Sequence, residues 1–145
     1  MKELSFLQGD AQKMPMDNDT CDVVINVESS HRYPDINLFF KGVQRILRPG
    51  GYFLFTDFRY DFEIPLLQEE LQSSGLSLIK EEFITQQVVT ALELDDGRRR
   101  MLVKKLTPQF LHKTALDFAG AIGSETYNKF VTRKYVYFNY IFQKN

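Results

Sequence analysis

The chain has 145 residues, a mass of 17.0 kDa and a formal net charge of -1 from 18 basic and 19 acidic side chains. That is the length and composition of one globular domain, and the charge balance leaves only a local patch to attract nucleic acid or an anionic membrane. A single cysteine, Cys21, excludes an internal disulfide framework and a multi-cysteine zinc site, and no apolar run approaches the roughly 20 residues of a membrane-spanning helix.

Met1 to Leu7 carry no long apolar core and no small-residue cleavage site, so no secretory signal is expected and the chain reads as cytoplasmic. Leu4 to Gln8 alternate apolar and polar, which predicts a short strand stopped by Gly9-Asp10-Ala11. Residues 13–20 hold Pro15 and three Asx residues and read as a loop. Cys21 to Val27 form an almost unbroken β-branched run, the pattern of a strand buried on both faces in a parallel sheet. Residues 35–47 repeat apolar side chains at helical spacing (Ile36, Phe39, Phe40, Val43, Ile46, Leu47), with Asp35 placed to cap the start. Pro49, Gly50 and Gly51 end that helix, and Tyr52 to Asp57 follow as a second buried strand, completing a βαβ unit.

Further on, residues 63–74 predict a helix stopped by Gly75, and residues 76–84 a third strand. Residues 85–105 have helical spacing interrupted at Asp95-Asp96-Gly97. Thr107-Pro108 has the form of a cap and first position for a helix over 108–119. A further helix starts near Ser124, and residues 133–143 form a last, aromatic strand. Open α/β sheets bind ligands at the carboxyl ends of their strands, so Gly9-Asp10-Ala11, Asn26 to His31 and Asp57-Phe58-Arg59 are the corners to inspect.

Gly9-Asp10-Ala11 with Met14-Pro15-Met16, Cys21-Asp22-Val23-Val24 and Leu47-Arg48-Pro49-Gly50-Gly51 together resemble the middle and later motifs of class I S-adenosylmethionine-dependent methyltransferases. Their order and spacing fit that family's third, fourth and fifth strands. With Asn26 to Pro34 and the aromatic final strand, the chain is similar to methyltransferases of quinones, sterols and polyketide or glycolipid hydroxyls, the phthiotriolone type above all. The resemblance implies an α/β fold, a partial Rossmann-like sheet of family strands 3 to 7, and an antiparallel last strand. It also implies a helical lid over 85–130 that covers the active site and recognises an apolar acceptor.

For the complete form of such a domain the same resemblance implies S-adenosyl-L-methionine as cofactor and methyl transfer to a hydroxyl or carbon of an apolar small molecule. Asp10 would accept from the adenine amino group, with the Ala11 amide facing the ring; a turn aspartate bonding its own backbone is the plainer reading. Asn26 and Glu28 would wall the methionine portion, against helix capping or an ion pair with Arg32. His31 is the candidate general base, because imidazole near neutral pH can take a hydroxyl proton as the methyl arrives; a surface or capping role is its alternative. Tyr33 would line the acceptor pocket, and Asp57 would bond substrate or cap a helix. His112 reads as solvated, and Arg98-Arg99-Arg100 as a charged turn rather than an anion site. No metal and no nucleic acid are expected.

The family's Gly-rich loop, which lets backbone amides reach the methionine carboxylate, is missing from these residues, as is the acidic residue for the ribose. The sequence therefore reads as a truncated domain in which the apolar edge of strand 21–27 is exposed. Pairing with a second copy of the chain, or with the N-terminal segment, would complete the sheet. The competing reading is a non-catalytic, self-associating remnant that does not bind the cofactor.

Overall fold

The computed structural model describes residues 4–145. Four strands, β1 (Cys21–Val27), β2 (Leu47–Tyr60), β3 (Leu76–Phe83) and β4 (Tyr135–Lys144), form one sheet in the order β1-β2-β4-β3. Six helices accompany them: α1 (Ile36–Ile46), α2 (Ile64–Ser73), α3 (Thr85–Leu94), α4 (Asp96–Leu106), α5 (His112–Phe118) and α6 (Glu125–Val131). The chain divides into two compact units, one containing the residues up to Asp57 with Pro65–Glu81 and Asn139–Asn145, the other containing Phe58–Ile64 and Glu82–Phe138.

In the first unit β1 and β2 are parallel, joined by α1. Asp35 caps α1 as its sequence position predicts, its Oδ1 accepting from the Leu38 amide at 3.1 Å. Phe39, Phe40, Val43 and Ile46, spaced three and four apart, put one stripe of α1 against β2. Phe40 meets Phe55 edge-on at 5.6 Å, and Phe53 stacks on Phe55 at 5.2 Å. β4 runs antiparallel to β2, since Phe53 faces Phe142, Phe55 faces Tyr140 and Thr56 donates to Asn139, a register that falls on β4 as it rises on β2. This matches the expected reversal of the last strand. Burial of Tyr140, with Glu81 close by, pushes its phenol pKa up and keeps it neutral in the core.

Contrary to the expectation from sequence, Pro49, Gly50 and Gly51 do not end the helix: α1 stops at Ile46 with Leu47 as its cap, and the two glycines lie inside β2. The ladder pairs Cys21 with Leu47 and then Val23 with Tyr52, two steps along β1 against five along β2, so Arg48 to Gly51 bulge out of the ladder. Gly50 takes φ 80°, and a Cβ on Gly51 would sit 2.9 Å from the Arg48 carbonyl and 3.0 Å from that of Asp22. Both neighbours are backbone atoms, which leaves glycine as the residue that fits.

Three expectations are corrected. Residues 4–8 form no strand: Leu4, Phe6 and Leu7 are exposed, because an alternating segment becomes a strand only where a neighbour supplies its ladder. Completion of the sheet by the N-terminal segment therefore has no support over residues 4–8, and residues 1–3 of that segment lie outside the described residues. Second, β1 is not buried on both faces. Asn26 points into the α1 side, whereas Val23, Ile25 and Val27 on the other face are 48%, 66% and 57% exposed. Its β-branched composition answers to strand propensity, and no helix of this unit covers that face. Third, Thr107-Pro108 does not open a helix over 108–119. The Thr107 hydroxyl instead donates back to the Val103 carbonyl at the end of α4, and a 3-10 turn (Gln109–Leu111) intervenes before α5.

In the second unit α3 and α4 part at Asp95, where the sequence predicts a break. Arg98 grips Asp95 with two hydrogen bonds of 2.6 and 2.7 Å, and Arg100 reaches Asp96 at 2.7 Å. These arginines hold both carboxyls below the usual carboxylate range. Arg99 turns inward and donates to the carbonyls of Leu92 and Ala119, so the arginine run is a helix-corner strut rather than a loose charged turn. Val89, Phe130 and Tyr137 form this unit's core with Phe58, Ile84 and Tyr135 packed around them.

Candidate functional site

The carboxyl end of β1 turns sharply. Glu28 adopts φ 48°, a left-handed conformation costly for a residue with a Cβ, while its amide still donates to the Thr56 carbonyl of β2. The chain then winds into a 3-10 turn, Ser30–Arg32. That corner brings Ser30 and His31 to Asp57, 26 residues beyond His31 and inside the neighbouring strand.

Asp57 is fully buried. Its Oδ2 accepts from the Ser30 hydroxyl at 2.6 Å and from the His31 amide at 3.2 Å, and its Oδ1 lies 2.8 Å from His31 Nδ1. A carboxylate only accepts, so Nδ1 carries the proton and Nε2 is the basic atom of the neutral ring. The His31 side chain keeps 20% of its surface exposed, enough for a reacting group to reach it. A buried acid and an oriented, partly exposed imidazole can together remove a proton. Asp57 caps no helix, since β2 continues to Tyr60.

A second polar cluster adjoins the first along the chain. Asn26 is buried at the end of β1, and its Nδ2 donates to Ser29 Oγ at 2.9 Å and to the Tyr33 hydroxyl at 3.1 Å. Ser29 and Tyr33 bond each other at 3.0 Å. The Tyr33 ring packs edge-on against Phe39 at 5.0 Å, which fixes it to the first turn of α1. Asn26 Oδ1 is buried and has no hydrogen-bond partner among the described residues. A buried amide oxygen left open costs about 1–3 kcal/mol unless something donates to it.

Asp10 is exposed, and its Oδ1 accepts from the Gln12 amide at 2.9 Å, the self-bonded turn that its type favours. Ala11 is half-buried beside it. Gln12 Oε1 accepts from the Asp35 amide at 2.7 Å, tying this turn to the start of α1 and hence to the carboxyl end of β1. The structure thus unites His31 with Asp57, and Asn26 with Tyr33; Glu28 contributes the backbone turn with its side chain exposed. Ser29 and Ser30 were not singled out by sequence reasoning. Their one signal is a pair of small hydroxyls directly before His31, and the acid that Ser30 bonds lies too far along the chain for local pattern to reveal.

Comparison with known proteins gives this geometry a context. A family profile described as a methyltransferase domain matches residues 1–55. The chain is 36% identical over 122 residues to the phthiotriol/phenolphthiotriol dimycocerosates methyltransferase of Mycobacterium tuberculosis, covering 84% of this chain and 45% of that protein. It is 40% identical over 108 residues to the fatty-acid O-methyltransferase of Mycolicibacterium smegmatis, covering 74% and 39%. By these matches the chain belongs to the family of class I S-adenosylmethionine-dependent methyltransferases. Among solved structures, phosphoethanolamine N-methyltransferase 2 of Haemonchus contortus superposes with a TM-score of 0.74 at 14% identity, covering 94% of this chain and 36% of that one, so the likeness is one of fold. The chain spans under half the length of the curated methyltransferases it matches. The Ser30–Asp57–His31 cluster lies at the carboxyl end of β1, just past the last β1–β2 pair, Val27 with Thr56.

Proposed function

We propose that this chain takes part in S-adenosylmethionine-dependent methyl transfer to a hydroxyl or carbon of an apolar small molecule, with His31 receiving the proton. The observation that carries the reading is the 2.8 Å contact between His31 Nδ1 and the buried Asp57, which leaves Nε2 the ring's basic atom. The two mycobacterial relatives, by their names, act on phthiotriol dimycocerosates and fatty acids, acceptors of the same apolar kind.

The residues present suit the cofactor at one telling atom. Asn26 Oδ1 is a buried acceptor in want of a donor, and the ammonium of a methionine moiety is such a donor. When bound, S-adenosylmethionine supplies an electrophilic methyl group on a sulfonium. Asn26 and Glu28 would wall the methionine portion, while Asp10 would take the adenine amino group and the Ala11 amide would face the ring. His31 Nε2 accepts the acceptor's proton, Asp57 holds the ring and balances the positive charge it gains, and the Tyr33 ring lines the acceptor side. Residues 85–130 serve as the acceptor-recognition insertion, a role that suits their exposed Leu94, Met101, Leu106, Phe110 and Phe118. The lone Cys21, free of any disulfide, fits a reducing cytoplasm.

Calorimetric titration of the chain with S-adenosylhomocysteine tests the assignment. Binding is expected, weakened at least tenfold by Asn26→Leu; absence of heat at millimolar ligand refutes it.

One observation favours a second reading, a non-catalytic domain that self-associates. The open edge and uncovered face of β1, with Val23, Ile25 and Val27 exposed, make an apolar surface of the sort that pairs with its own copy as a homodimer. Sedimentation velocity should then show a concentration-dependent dimer that Ile25→Lys dissolves. A monomer at every concentration removes this reading.

A further inference from the structure

The segment from α4 through α5 combines two features that rarely share a surface. Between Arg98 and Lys113 there are six basic residues and no acidic one, in a chain whose overall charge is -1. On the same stretch large apolar side chains stand in solvent: Met101 is 61% exposed, Leu106 71%, Phe110 82% and Phe118, one turn past Lys113, 86%. Residues of this size at such exposure are costly to leave wet, and isolated ones need no explanation, whereas a run of them does.

The arrangement is built rather than incidental. Arg99 is spent on carbonyls of the helix corner, and Arg98 and Arg100 are paired with Asp95 and Asp96. Lys104, Lys105 and Lys113 remain exposed on α4 and α5, interleaved with Met101, Leu106 and Phe110. Between α4 and α5 opens a cleft of about 570 Å³ whose walls mix Val103 and Leu116 with Arg100, Lys104 and His112. The cleft thus joins apolar and basic side chains in one lining.

We propose that α4, the Gln109–Leu111 turn and α5 form a docking surface for an anionic lipid bilayer. Phe110, Phe118, Leu106 and Met101 enter the boundary between headgroups and acyl chains, and Lys104, Lys105 and Lys113 meet the negative headgroups. No helix among the described residues is long and apolar enough to cross a membrane, so the attachment is peripheral. Each lysine near a negatively charged leaflet adds roughly 1 kcal/mol, so three lysines and inserted aromatics give reversible, salt-sensitive binding. The inference uses neither His31 nor Asp57, although Met101, Leu106, Phe110 and Phe118 are also the exposed side chains that the methyl-transfer reading gives to acceptor recognition, so vesicle binding is read separately from S-adenosylhomocysteine binding.

The chain contains no tryptophan, which makes the test direct. Phe110→Trp and Phe118→Trp variants of the full chain are mixed with vesicles of phosphatidylcholine containing phosphatidylglycerol, and with vesicles of phosphatidylcholine alone. The expected result is a blue-shifted emission and co-sedimentation with the anionic vesicles only, reversed by high salt. Lys104→Glu, Lys105→Glu and Lys113→Glu combined should weaken vesicle binding about a hundredfold or more. Phe62→Trp, exposed in the same unit but flanked by Asp61 and Glu63, should show no shift. Emission unchanged by anionic vesicles overturns the proposal. An equal shift in the Phe62→Trp variant does so too, and a shift that grows with protein concentration in the absence of lipid assigns the surface to a second copy instead.

Discussion

Asp57→Ala is expected to cost about 3 kcal/mol of unfolding free energy, read as a lowered urea midpoint at neutral pH. The carboxylate is wholly buried and accepts from the Ser30 hydroxyl, the His31 amide and His31 Nδ1. Alanine removes the acceptor and leaves the first two donors in a dry environment, where each lost partner costs about 1–3 kcal/mol. Asp57→Asn keeps the shape and one acceptor oxygen but turns an amide NH₂ toward a donor, so a smaller loss of about 1–2 kcal/mol follows. The asparagine variant also relaxes the preference for the proton on Nδ1, and the nitrogen shifts of the His31 ring should show both tautomers. An alanine variant within about 1 kcal/mol of the parent chain, with an unaltered ring tautomer, would show that Asp57 neither holds nor orients His31.

Phe40→Ala should be at least as damaging. Its ring is fully buried and touches Phe39, Phe53 and Phe55, so it joins α1 to the strand beneath it. Removing such a ring forfeits its transfer free energy and leaves a cavity that neighbouring aromatic rings fill poorly, about 3–5 kcal/mol in all. If the total stability is near the lower end of the usual range, about 5 kcal/mol, that loss unfolds a substantial share of the molecules near 37 °C, and at any stability it lowers the melting temperature by several degrees. Phe6→Ala, at a ring 88% exposed, serves as the comparison and should change stability by less than about 0.5 kcal/mol. Equal melting temperatures for the two variants would mean that the α1–β2 contact is not the core of this unit.

What the sequence made legible was mostly local. The α1 stripe, the Asp35 cap, the break at Asp95 and the start of α6 at Ser124 each depend on residues within one or two turns of each other, and all match the structure. The strand at 4–8 failed for the opposite reason: its period of two was present, yet a ladder needs a neighbour that local pattern cannot supply. The β-branched run of β1 identified a strand correctly but not its surroundings, because composition reports propensity and burial depends on what packs above. The site divides in the same way. His31 and Asp57 could be picked out one at a time by type and position, whereas their mutual bond across 26 residues is a product of the β1–β2 register. The open oxygen of Asn26 was invisible, since nothing in a sequence says which atom of an amide lacks a partner.

The bare face of β1 has a calorimetric consequence. Heat capacity and denaturant sensitivity both scale with the apolar area that becomes wet on unfolding, and Val23, Ile25, Val27 and Tyr52 are already about half exposed in the native state. The chain therefore unfolds with a flatter temperature dependence and a shallower urea slope than its length implies, and any partner that covers this face steepens both.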